Sequence, residues 1–193
     1  MCGVRRPLAA ALVLALAVAG CGGDDEPEAA STTTTSSSST SSSTSTTSTT
    51  AFEGATTPTS LAADGIRAVA LLTSVRVSDD RVVFEFEGDV APGVDVAYVD
   101  SATADGSGDP VAVDGEALLQ VRMEPASGVD LSRESARETY TGPSTVEGSG
   151  AVVEVVRTGD FEANLTWVVG LDSERPFRVL RLEEPARVTV LLG

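Results

Sequence analysis

Between residues 66 and 193, a series of short segments places apolar side chains at every second position. In the stretch RVVFEFE, Val82, Phe84 and Phe86 fall on one side; Arg81, Val83, Glu85 and Glu87 fall on the other. A strand sends successive side chains to opposite faces, whereas a helix repeats every 3.6 residues. The same alternation sets Val94, Val96 and Tyr98 together, and Leu119, Val121 and Met123 together. It groups Leu165, Trp167, Val169 and Leu171 against Asn164 and Thr166, and Val188, Val190 and Leu192 against Arg187 and Thr189. In PFRVLRL, Phe177 and Val179 oppose Leu180 and Leu182, which predicts a bulge or two buried faces. Turn chemistry separates these segments, as at Asp79-Asp80, Ala91-Pro92-Gly93, Asp114-Gly115 and Glu147-Gly148-Ser149-Gly150. Short, evenly spaced strands predict an all-β sandwich or barrel. Only residues 131–139 could carry a helical turn, and they lack an apolar stripe.

The first third of the chain obeys other rules. Arg5 and Arg6 precede an uninterrupted apolar run at residues 8–18. That run is shorter than the ~20 residues a membrane-spanning helix needs, and it fits a secretory signal peptide over residues 1–20. The Arg pair loosely resembles a twin-arginine export signal, but Val4 stands where a polar residue is usual, so general secretion is the default. Val18-Ala19-Gly20-Cys21 resembles the lipobox of bacterial lipoproteins. That resemblance implies a diacylglyceryl group on Cys21 and cleavage just before it. Cys2 lies in the removed segment, so Cys21 is otherwise a lone thiol in an exported chain. Two acyl chains suffice for stable membrane attachment where one does not.

Residues 31–50 are serine and threonine without exception. They have nothing to bury and cannot offset an ordering cost of ~1–2 kcal/mol per residue. Residues 21–65 therefore read as a disordered Ser/Thr-rich stalk, ~35–40 Å in root-mean-square span. Dense hydroxyls also invite O-glycosylation; a stalk with sugar and one without stand equally. The expected organisation is a signal peptide (1–20), a stalk (21–65) and one small antiparallel β domain (66–193).

Charge and composition exclude several functions. The chain carries 29 acidic and 13 basic residues, with neither lysine nor histidine. Removing Arg5 and Arg6 takes the formal charge from −16 to −18. Nucleic acid would be repelled. Absence of His and of a mature free thiol excludes His- or Cys-ligated zinc and the Ser-His-Asp and Cys-His nucleophile systems. The carboxylates sit in turns and on outward strand positions, where they read as solvated surface. Asp105-Gly106-Ser107-Gly108-Asp109 lacks the ligand spacing of a calcium loop and reads as a hairpin turn. Asn164-Leu165-Thr166 is formally a glycosylation acceptor and reads as chance. No catalytic residue, metal or cofactor is expected.

An ordered set of pieces carries a family resemblance. Arg81-Val82-Val83-Phe84-Glu85-Phe86, Tyr98-Val99-Asp100 and Tyr140-Thr141-Gly142-Pro143 come first. Arg157-Thr158-Gly159-Asp160-Phe161, Leu165-Thr166-Trp167-Val168-Val169-Gly170-Leu171 and Arg175-Pro176-Phe177-Arg178-Val179 follow. Together, over residues 71–192, they resemble the AMIN-like domain of lipoproteins from high-GC Gram-positive bacteria, itself similar to the AMIN domain of wall amidases and secretins. The resemblance implies a small β-sandwich and a place in the cell envelope, held to the membrane through Cys21. Two non-enzymatic roles follow: binding peptidoglycan or another wall component, or scaffolding an envelope enzyme without glycan contact. Such domains often end their last strand with an Asp; Leu191 and Leu192 stand there, so no role of that carboxylate carries over. The long segment 125–150 is the expected contact loop. Arg137, Tyr140, Arg157 and Asp160 are the candidate contact residues, with a structural pin as the competing reading of Tyr140. Trp167 shares a strand face with Leu165 and Val169 and reads as core.

Overall fold

The computed structural model describes residues 52–63 and 68–193. The expected signal peptide, Cys21 and the hydroxyl tract lie outside the described residues. The described chain contains fifteen strands and no helix. They are β1 (Thr59–Leu61), β2 (Ala70–Ser78), β3 (Arg81–Phe86), β4 (Gly93–Val99), β5 (Ala102–Thr103), β6 (Pro110–Val111), β7 (Ala117–Glu124) and β8 (Ala126–Ser127). After these come β9 (Val129–Asp130), β10 (Arg137–Glu138), β11 (Thr145–Ser149), β12 (Val152–Phe161), β13 (Asn164–Leu171), β14 (Phe177–Glu183) and β15 (Ala186–Leu192).

Two sheets form a sandwich. One runs β1-β4-β7-β13-β12-β11, the other β14-β15-β3-β2-β8, with β5–β6 and β9–β10 as separate ribbons. All pairs are antiparallel except β2 with β8. Alternation predicts the inner faces well: Val82, Phe84, Leu119, Val121, Met123, Val188 and Val190 are fully buried. Phe84 of one sheet meets Trp167 of the other with ring centroids 5.9 Å apart, and Trp167 is core as expected. Each large apolar side chain removed from water here contributes about 1.5–3 kcal/mol.

Several local expectations are corrected. The stalk does not run unstructured to residue 65. Thr59–Leu61 pairs with Val94–Val96 of β4, and Ala55 exchanges backbone hydrogen bonds of 3.1 and 2.9 Å with Phe177. β1 satisfies the backbone groups of β4 that would otherwise form an open edge. In β14 there is no bulge: its pairing with β15 is continuous from Phe177 to Glu183, with Phe177 and Val179 inside and Leu180 and Leu182 outside. Residues 131–139 form no helix; they contain β10, which pairs with β9. The long segment 125–150 is divided by β8, β9, β10 and β11.

Strand β13 departs most from simple alternation. Every residue from Leu165 to Leu171 is buried, including the outward-facing Thr166, Val168 and Gly170. Two segments lie over its outer face. Thr166 Oγ1 donates to Asp105 Oδ2 at 2.6 Å, and a side chain at Gly170 would run into the Asp114 carbonyl.

Candidate functional site

A depression of about 1000 Å³ opens where the start of β2, the β8–β9 segment and the β12–β13 hairpin meet. Three large apolar side chains stand in it: Leu131 is 74% exposed, Phe161 59% and Val69 42%. Exposed apolar residues scattered singly need no explanation, but a contiguous patch with a polar rim marks a binding surface.

Each wall has a local cause. Phe161 and Asn164 pair across a two-residue turn, so Glu162 and Ala163 sit between them at φ 49° and 60°. Tight hairpins favour left-handed residues because their twist matches the strands, and Asn-Gly is the usual solution. Glu-Ala adopts the same backbone at a steric cost of ~1–2 kcal/mol per residue. The Ala126 N–H donates to the Ala163 carbonyl at 2.8 Å and the Gly128 N–H to Asp160 Oδ2 at 2.9 Å, fixing the hairpin tip beside β8.

The rim is ionic and tied down. Asp130, only 4% exposed, accepts from the Ser132 hydroxyl at 2.6 Å and the Ser132 N–H at 3.0 Å. Arg133 Nε lies 3.3 Å and Arg137 Nη2 3.4 Å from its other oxygen. The Ser132 hydroxyl, then its N–H, and then Arg137 hold the Asp130 carboxyl down at about 2, against the opposing effect of burial. Arg137 also donates to Glu87 Oε2 at 2.8 Å; that bond is the main cause raising its own pKa, and Asp130 adds to it.

The four residues selected from sequence separate into two groups. Arg137 and Asp160 line the groove. Tyr140 and Arg157 stand behind its wall at Gly128, where an added side chain would crowd Tyr140 Cβ, Asp160 Oδ2 and Arg157 Nη1. Tyr140 is 6% exposed. Its ring meets Trp167 edge-on at 5.6 Å, and its hydroxyl donates to the Pro143 carbonyl at 2.8 Å. Burial raises the pKa of that hydroxyl. The Arg157 guanidinium lies 5.7 Å from the Tyr140 ring and 6.0 Å from that of Trp167, and 4.0 Å from Asp160. Tyr140 occupies the position of a pin: its ring fills the core under the groove. Sequence reasoning missed Val69, Leu131 and Phe161. Leu131 had one signal, an apolar residue isolated in the polar stretch VDLSRES.

The fold is a two-sheet β-sandwich that carries an open apolar groove with a fixed ionic rim. The AMIN-like domain family model matches residues 70–191, more than half of the sequence, and the chain belongs to that family. No curated protein and no solved structure matches it.

Proposed function

We propose that this chain is a non-enzymatic module of the bacterial cell envelope, tethered to the outer face of the membrane through a lipidated Cys21, and that its groove binds peptidoglycan. The observation that carries the reading is the grouping of Val69, Leu131 and Phe161 inside a rim of Arg137, Asp130 and Asp160. Peptidoglycan stem peptides present small aliphatic side chains beside amino and carboxylate groups. An apolar floor with paired charges already in position matches that mixture, and groups fixed before binding lose little freedom on contact. Family membership supports an envelope location, and the lipobox-like Val18-Ala19-Gly20-Cys21 supports the tether.

Co-sedimentation with purified sacculi tests the groove. Leu131→Asp replaces a 74%-exposed side chain, so it should leave circular dichroism unchanged while weakening sedimentation. Net charge opposes association with anionic wall polymers, so added salt, screening over ~8–10 Å, should not weaken binding. A folded wild-type domain that fails to sediment would favour the scaffold role, in which the groove's apolar floor takes a protein segment. For the tether, Cys21→Ala should abolish labelling by a fatty-acid analogue; equal labelling of both proteins would overturn it.

A further inference from the structure

A second built surface lies on the outer face of the six-stranded sheet. Strand register places Ser60 opposite Asp95, Asp95 opposite Arg122, and Arg122 opposite Thr166. These four form a polar row across four strands, ~14 Å at the usual strand spacing. Gln120 and Asn164 sit two residues away on the same face of β7 and β13. Two adjoining depressions of about 320 and 290 Å³ share Gln120 and Arg122, so together they make one trough. Thr59 of β1, with Pro58, bounds one end; the Asp105-Gly106 turn bounds the other.

The trough is held in place before any ligand arrives. The Asp105 N–H donates to the Thr158 carbonyl at 3.0 Å, and its carboxylate accepts from Thr166, which is buried to 1% exposure beneath it. Gly159 permits this closure, because a side chain there would occupy the place of the Asp105 carboxylate. The Arg122 guanidinium is fixed by Asn164 Oδ1, 3.0 Å from Nε, and by Glu124, 3.2 Å from Nη2. Gln120 and Asp95 have no side-chain hydrogen-bond partner among the described residues.

We propose that this trough binds a neutral saccharide chain. Planar amide, carboxylate and guanidinium groups offer paired donors and acceptors that match neighbouring hydroxyls and acetamido groups in bidentate fashion. Phe161, exposed at the trough's end, supplies an apolar face for a sugar ring. Asp95, Asp105 and Glu124 outnumber the single Arg122 here, so phosphate- or carboxylate-bearing polymers are repelled. Phe161 also lines the groove on the other side of the hairpin. A polymer with a sugar backbone and peptide branches would therefore meet both surfaces at one side chain. The choice of an N-acetylhexosamine chain as ligand rests on the wall-binding reading; the trough itself does not.

Calorimetric titration of the full-length chain with the β-1,4-linked tetramer of N-acetylglucosamine tests this. Saturable binding is expected, with Gln120→Ala and Arg122→Ala each weaker by roughly threefold to a hundredfold, as loss of one or two hydrogen bonds implies. The isosteric Gln120→Glu should weaken binding too, with circular dichroism as the folding control. Leu131→Asp should leave it unchanged, and a glycerol-phosphate oligomer should not bind. Absence of tetramer binding, or binding indifferent to Gln120 and Arg122, overturns the trough. If the tetramer fails but sacculi still sediment, the groove reading survives alone; if Leu131→Asp leaves sacculus sedimentation unchanged and the tetramer binds through Gln120 and Arg122, the trough stands alone.

Discussion

Tyr140→Ala separates a structural from a ligand-contacting role for a residue that the sequence places in the long 125–150 segment. The ring is 6% exposed, edge-on to Trp167, and faced by Arg157. Truncating a buried aromatic to Ala costs about 3–5 kcal/mol through lost transfer energy and the cavity left behind. That range already contains the edge-to-face contact, and the lost hydrogen bond to Pro143 adds about 0.5–1.5 kcal/mol. A total of about 3.5–6.5 kcal/mol would consume much of an ordinary domain's ~5–15 kcal/mol. Tyr140→Phe should cost only the hydrogen bond, at the low end of that range, because Pro143 is exposed and its carbonyl can be hydrated. Trp167 is the sole tryptophan and is fully buried, so its fluorescence reports urea unfolding, with circular dichroism as a second probe. A loss under about 1 kcal/mol for Tyr140→Ala, together with lost sacculus binding, would refute the pin and restore Tyr140 as a contact residue.

Ala163→Gly should stabilise the domain by about 1 kcal/mol, since Ala163 holds φ 60° in the hairpin; a destabilised variant in the same urea assay would show that the turn is unstrained. Gly170→Ala should cost about 1–3 kcal/mol, because the added methyl meets the Asp114 carbonyl over a buried central strand; an unchanged midpoint would show that the 112–115 segment yields freely. Asp130 has its pKa depressed to about 2 in the folded state from an ordinary value of 3.8, so its contribution is complete above ~5 and is lost as pH falls through ~4 toward ~2. Asp130→Asn should therefore be less stable than wild type at pH 6, with the gap closing by pH 2; a gap constant across that range would contradict the ionic role.

The inner faces of the sandwich were legible because strand geometry turns a period of two directly into sidedness. Val82, Phe84 and Phe86 needed no partner to declare a common face, nor did Leu119, Val121 and Met123. The charge balance and the absence of histidine likewise excluded chemistry without any coordinates. Long-range pairing lay beyond such reasoning, since alternation says which way a side chain points and nothing about what arrives above it. That is why Thr166 and Gly170, outward by period, are buried under Asp105 and Asp114, and why three residues of the expected stalk complete a sheet edge. The groove is the clearest case. Val69, Leu131 and Phe161 are scattered over more than ninety residues, and each alone is an ordinary apolar side chain. Only the packing of β2, β8 and the β12–β13 hairpin brings them together, with Arg137 and Asp160 on the rim and Tyr140 withdrawn into the core behind it.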